Sequence, residues 1–200
     1  MRILIDNGHG KETKGKRSFD ETFFEWEYTR KVAREVVNHL RKKGVDAELL
    51  VPEDNDITIT ERVNRVNRVV NEMGKNNVCV ISIHNDAFGS DWNTANGWSV
   101  FIYNSASENS KVLANLLHDA AKDEGLKIRY YKPNQNYWTA SYGIIRSTKC
   151  PAALTENLFY TNKKDKEFLE SEEGFEKIVN LHVVAVTKYV RELCECECHK

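Results

Sequence analysis

Val78-Cys79-Val80-Ile81-Ser82-Ile83-His84-Asn85-Asp86 decides how the chain is read, because an apolar run ends abruptly in an imidazole and two small polar residues. A parallel strand covered on both faces reads as nearly continuous Val and Ile, and reactive groups gather just beyond the carboxyl ends of such strands. Val78 to Ile83 is therefore expected to be a buried strand that delivers His84 to one edge of a sheet. Taken alone, His84 is equally well read as a strand-end histidine that completes a hydrogen-bond network.

The same pattern recurs at the start of the chain. Arg2-Ile3-Leu4-Ile5 runs into Asp6-Asn7-Gly8-His9-Gly10, and the flanking glycines are expected to let the backbone turn sharply and leave the imidazole uncrowded. A third aliphatic run, Ala152-Ala153-Leu154-Thr155, leads into Glu156-Asn157. An acid directly after an apolar strand is costly unless it meets a cation, a metal or a substrate. Two histidines and a glutamate converging on one rim suggest zinc.

Two hundred residues suit one domain with a single substantial core. Lys and Arg total 29 against 30 Asp and Glu, a net charge of −1, which gives no electrostatic footprint for nucleic acid or an anionic membrane. No apolar run approaches a membrane span, and the amino terminus enters a strand at once, so the chain is expected to be cytoplasmic when made and monomeric, without stable membrane association. Of five cysteines, Cys79 and Cys150 read as small buried hydrophobes. The other three crowd into Cys194-Glu195-Cys196-Glu197-Cys198-His199, expected to be a frayed end that follows a domain spanning residues 1–193.

Periodicity supplies the remaining elements. Tyr28, Val32, Ala33, Val36, Val37 and Leu40 share one helical face, stopped at Gly44. Val45 to Val51 reads as a strand. Thr58 with Glu61 forms a capping box for a helix whose stripe is Ile59, Val63, Val66, Val70 and Met73. Trp98 to Tyr103 reads as a strand and Leu113, Leu116, Leu117 and Ala120 as a helix. Lys127 to Tyr142 reads as an ordered surface loop, and Gly143 to Arg146 and Ala152 to Thr155 as short strands. A closing helix carries Phe175, Ile178, Val179, His182, Val186, Tyr189 and Leu193 on one side, with His182 as a satisfied core histidine. Strands alternating with helices imply an α/β fold: a three-layer, mostly parallel twisted sheet with helices on both faces.

Hydrolytic zinc commonly takes three protein ligands from histidine and carboxylate, with a fourth position left for water. His9 and His84 supply two, and Asp6, Glu25, Glu27, Asp86 and Glu156 all qualify by type as the third. Glu25 has a competing explanation, since Thr22-Phe23-Phe24-Glu25 is itself a capping-box pattern. Spacing does not choose among them.

Across nearly the whole chain, the order of segments resembles the zinc-dependent N-acetylmuramoyl-L-alanine amidases of the amidase-3 family. The resemblance rests on Ile5-Asp6-Asn7-Gly8-His9-Gly10, Glu25, Glu61-Arg62, Ser82-Ile83-His84, Gly97 and the run from Ile145-Arg146 through Glu156-Asn157-Leu158-Phe159. It implies that His9, Glu25 and His84 hold zinc and that Glu156 is the catalytic acid/base. The bond cut would join N-acetylmuramic acid to the L-alanine of peptidoglycan stem peptides or muropeptide fragments. Two positions depart from the family pattern, which usually has proline where Asn7 stands and asparagine where Asp86 stands. Asp86 could orient His84 from behind or alter substrate preference. Arg146, close before Glu156, is a candidate for a substrate carbonyl or stem carboxylate, with an ordinary surface ion pair as its alternative. Two other classes compete: a glycosidase using Glu25 and Glu156 as its two carboxylates, which leaves both histidines unexplained, and a non-catalytic wall-binding module. An endolysin-like, prophage-encoded enzyme or a cytoplasmic recycling enzyme would both suit a chain read as lacking a signal peptide.

Overall fold

The structure, a computed structural model, describes residues 1–197, with side chains described for 1–193. Its strands are β1 (Arg2–Asn7), β2 (Asp46–Leu49), β3 (Val78–Asp86), β4 (Ser99–Ile102), β5 (Trp138–Thr139) and β6 (Ala152–Phe159). Its helices are α1 (Glu25–Lys42), α2 (Ile59–Met73), α3 (Glu108–Asp123), α4 (Gly143–Ser147), α5 (Lys163–Glu170) and α6 (Glu172–Glu197). The sheet order is β2-β1-β3-β6-β4-β5, parallel throughout except where β4 runs against β6. Among the described residues no helix is long and apolar enough to cross a membrane.

Alternation along the central strands divides the core into two halves, as the period of two requires. Ile3, Ile5, Cys79, Ile81, Ile83 and Ala153 pack with residues of α1, α3 and α6 on one face. Leu4, Val78, Val80, Ala152 and Leu154 pack with Val63, Val66 and Val70 of α2 and with Ile144 and Ile145 of α4 on the other. The expected three layers are therefore present.

Two local expectations are corrected. Gly143 to Arg146 forms helix α4 and not a strand, because its two adjacent isoleucines bury against α2 and Thr148 Oγ1 closes the turn on the Ile144 carbonyl at 2.8 Å. The closing helix stands as α6, and a separate short helix precedes it: Asn162 caps α5 by accepting from the Lys164 and Asp165 amides. The strands carrying His84 and Glu156 run on past those residues, to Asp86 and Phe159. The Cys-rich end falls at the limit of the description. Helix α6 is drawn to Glu197, whereas the side chains from Cys194 onward and all of residues 198–200 lie outside the described residues.

Candidate active site

β1 and β3 are neighbours, and the chain leaves β1 through α1 to β2 on one side but leaves β3 toward β4 on the other. This is the switch point at which open parallel sheets form a crevice beyond their strand ends. His9 follows β1, and His84 sits on β3 in direct register with Glu156 on β6. Paired residues of adjacent strands project to the same face, so both side chains rise on the side that carries α2.

The His9 loop is held from beneath by buried cations. Arg62 of α2 donates to Asp6 Oδ1 at 2.6 Å, to the Asn7 carbonyl and to the His9 carbonyl at 2.9 Å. Thr29 Oγ1 donates to the Gly8 carbonyl at 3.1 Å, and Arg30 donates to the Trp26 and Glu53 carbonyls. These contacts hold His9 at φ 60°, a left-handed conformation that costs a non-glycine residue roughly 1–2 kcal/mol. The sharp turn thus falls on His9 itself and not on its flanking glycines, which serve close approach. A Cβ on Gly8 would lie 2.6 Å from His84 Nδ1, and one on Gly10 would lie 2.2 Å from the Asp56 backbone.

Glu25 opens α1 but does not cap it. The N-cap is Phe24, without a side-chain hydrogen bond, while Thr22 Oγ1 donates to Asp20 at 2.9 Å. The capping-box reading is therefore corrected. Glu25 is wholly buried, and its Oε1 lies 3.3 Å from His9 Nε2, 3.2 Å from His84 Nδ1 and 3.1 Å from the Asn85 amide. Burial alone would raise its pKa, but hydrogen bonds from His84 and His9 outweigh burial and lower it to about 2.

Among the described residues, His9, Glu25 and His84 are the one trio whose ligand atoms converge, all within 4.8 Å of one another. Ligands each ~2.0–2.1 Å from a tetrahedral ion lie ~3.3 Å apart, which matches the histidine-to-glutamate spacings here. Among the described residues Glu25 Oε2 is buried with no hydrogen-bond partner, a deficit that a cation would remove. Two imidazoles and a carboxylate suit zinc among the common biological cations. The residues present fit the metal.

Glu156 stands beside this trio and, among the described residues, has no ionic partner of its own. Burial, followed by the neighbouring charges of Glu25 and Asp86, pushes its carboxyl well above the ordinary range, against Lys16 and Arg129. Its Oε2 also lacks a partner. Asn157, next in the strand, ties the rim together: its amide donates to the His84 carbonyl at 2.8 Å and its Oδ1 accepts from Trp98 Nε1 at 2.8 Å.

The remaining sequence candidates separate. Asp86 does not orient His84; its Oδ2 accepts from Arg129 Nη1 at 2.5 Å and its Oδ1 from the Ala87 amide. Asp6 pairs with Arg62 and Ser82 beneath the site, and Glu27 pairs with Lys31 on the surface of α1. Arg146 is exposed and lines a pocket with Lys75, Ser107, Lys149 and Pro151. Lys75 precedes β3 and Pro151 precedes β6, so this pocket lies at the opposite edge of the sheet and Arg146 does not join Glu156. Asn7 is fully buried with neither side-chain amide atom partnered. His182 is the satisfied core histidine expected, donating from Nδ1 to the Ile178 carbonyl and accepting at Nε2 from Thr155; burial pushes its pKa down to about 4. Arg129 was not found from sequence, since nothing in its loop announces a partner 43 residues away.

Known proteins place this fold. The catalytic domain of CwlV, from Bacillus (Paenibacillus) polymyxa var. colistinus, superposes with a TM-score of 0.79 at 24% identity, over 95% of this chain and 98% of that one. An N-acetylmuramoyl-L-alanine amidase of Clostridium difficile 630 gives 0.81 at 24% identity, over 95% and 96%. Ami1 of Mycobacterium smegmatis gives 0.82 at 18% identity, over 96% and 97%. The probable cell wall amidase LytH of Staphylococcus aureus is 28% identical over 171 residues, which are 85% of this chain and 52% of LytH. The chain thus spans about half the length of the curated relatives it matches. The N-acetylmuramoyl-L-alanine amidase family model matches residues 3–188, from the first core strand through most of the last helix, and the chain belongs to that family.

Proposed function

We propose that the protein is a zinc-dependent N-acetylmuramoyl-L-alanine amidase, which hydrolyses the amide between the lactyl group of N-acetylmuramic acid and L-alanine. The observation that carries this reading is the convergence of ligand atoms from His9, Glu25 and His84 within 4.8 Å of one another, with Glu156 in register beside His84 on the neighbouring strand. Burial raises the proton affinity of both carboxyls, but the hydrogen bonds from His84 and His9 bring that of Glu25 down, whereas the neighbouring charges of Glu25 and Asp86 raise that of Glu156 further. His9, Glu25 and His84 would hold zinc. When bound there, zinc would supply Lewis acidity toward the amide carbonyl and toward a water nucleophile near neutral pH.

Glu156 accepts the proton of the attacking water and returns it to the leaving alanine amine, the task of a carboxyl whose proton affinity is raised by its surroundings. Asn157 and Arg62 keep the two sides of the cleft in register by binding the His84 and His9 carbonyls. The commitment of Glu25 to two histidines opposes the glycosidase reading, which needs both carboxyls free for sugar.

The test is digestion of purified peptidoglycan and of soluble muropeptides, with and without chelator, followed by mass spectrometry. New alanine amino termini that vanish on chelation and return with zinc are expected; new reducing ends, or binding without product, would replace the reading. Preference for intact wall supports an endolysin-like role after release from the cytoplasm, and preference for soluble fragments a recycling role.

A further inference from the structure

Arg129 has surroundings that neither the metal trio nor Glu156 explains. Its amide donates to the Trp98 carbonyl at 2.8 Å, which sets it beside the start of β4. Ser99 pairs with Glu156 across β4 and β6, and Arg129 Nη1 reaches Ser99 Oγ at 3.5 Å. The guanidinium therefore lies over the same face of the sheet as the Glu156 carboxyl, on its β4 side, whereas the trio lies on its β3 side.

The side chain is clamped. Its guanidinium sits over the Trp138 ring at 5.3 Å and the Phe159 ring at 4.7 Å, and Asp86 holds Nη1 at 2.5 Å. Trp138 Nε1 is itself fixed on the Arg129 carbonyl at 3.0 Å. The stem passes Gly97, where φ is +104° and a Cβ would come 3.1 Å from Arg129 Cγ. Even so, 29% of the side chain remains exposed. Among the described residues both guanidinium hydrogen bonds to side chains leave from Nη1, so Nη2 and Nε make none and the planar group is held in a fixed orientation. A pre-oriented arginine fork suits a planar carboxylate, which it can bind through two parallel hydrogen bonds.

We propose that Arg129 binds the first carboxylate of the leaving peptide, the α-carboxylate of the isoglutamate that follows L-alanine, with Asp86 as the positioning residue that orients the guanidinium. The proposal rests on the amidase reading above. In that reading the leaving amine meets Glu156, so the peptide continues toward the β4 side. An extended chain covers at most about 3.6 Å per residue, which places a carboxylate one residue beyond the amine within about 7 Å of it. Arg129 thereby takes the role that the sequence suggested for Arg146.

Two muramyl-dipeptide substrates that differ only in that group, carboxylate or carboxamide, provide the test. The wild-type protein is expected to favour the carboxylate by about 10- to 100-fold in kcat/KM, mainly through KM, as a charge-assisted pair would give. Arg129→Gln abolishes the preference, and Arg129→Lys keeps part of it. Asp86→Asn weakens the preference when Arg129 is present and has no further effect in the Arg129→Gln background. Zinc content and melting temperature, measured on the same preparations, show that each variant is folded and loaded. Equal cleavage of the two substrates by the wild-type protein, or an undiminished preference in Arg129→Gln, overturns the proposal and leaves the amidase reading standing. Cleavage of neither substrate overturns both.

Discussion

The two halves of the cleft carry the same side chain with opposite results: Glu25 is wholly buried and Glu156 half-buried, and their proton affinities move in opposite directions. On the side built from β1, α1 and β3, Glu25 accepts from two histidines and a backbone amide and stays ionised. On the side built from β6 and β4, burial and the charges of Glu25 and Asp86, with Lys16 and Arg129 as weaker counterweights, raise the proton affinity of Glu156. Burial acts on both in the same direction, so the neighbours decide. The difference teaches that one half is organised to hold positive charge and the other to exchange a proton, which is the division of labour a hydrolytic metal site requires.

The largest effect should follow from breaking the charge-holding half. His84→Ala, in a protein with Cys194, Cys196 and Cys198 replaced by serine to remove a competing metal binder, should fall from about one zinc per chain to near none on dialysis. Full retention by atomic absorption would dissolve the distinction between the halves. Gly8→Ala is a milder break, because its new Cβ, 2.6 Å from His84 Nδ1, must displace the ring. Zinc affinity by competition with a chelating dye should weaken on the order of 10- to 100-fold, as for other disturbances of ligand orientation.

A smaller effect sharpens the comparison through pH. In the chelated protein the folded pKa of Glu156 is raised, so above its ordinary ~4.3 the unfolded chain releases a proton that the folded one keeps, and stability falls as pH rises. Glu156→Gln escapes this loss, and its melting temperature relative to wild type should be higher at pH 7 than at pH 4. Glu25 carries the opposite sign. Its contribution is present above ~4.3 and is lost as pH falls toward about 2, so the deficit of Glu25→Gln should shrink on acidification. The smallest effect belongs to Thr22→Ala, which should change stability by no more than about 0.5 kcal/mol because Thr22 binds Asp20 and not the helix end. A loss of about 1 kcal/mol or more by thermal melting would return Glu25 and Thr22 to a capping role.

What was legible in the sequence follows from which interactions are local. Unbroken aliphatic runs marked β1, β3 and β6 and located His9, His84 and Glu156 at one rim, because a strand buried on both faces must be apolar at every position. Glu25 stayed ambiguous by residue type, since the same four residues spell a capping box, and only the tertiary approach of His9 and His84 separates ligand from cap. Gly143 to Ser147 was misread because two adjacent isoleucines fit a short strand or a single helical turn equally well; packing on α2 decides. Asn162 and Asp165 did spell the start of α5, but the weak apolar stripe beyond them concealed it. Arg129 was illegible. Its place depends on the pairing of Ser99 with Glu156 and on two aromatic faces from separate segments, none of which leaves a spacing in the chain.

Zinc content and amide turnover, measured together on Glu25→Gln and Glu156→Gln, test the central claim most directly. Each variant keeps shape and hydrogen bonding while removing a carboxylate. The account predicts that Glu25→Gln loses zinc, and activity with it, whereas Glu156→Gln keeps zinc and its fold while turnover drops by roughly 10²- to 10⁴-fold. Zinc lost from Glu156→Gln and retained by Glu25→Gln, or wild-type turnover in Glu156→Gln, would contradict it.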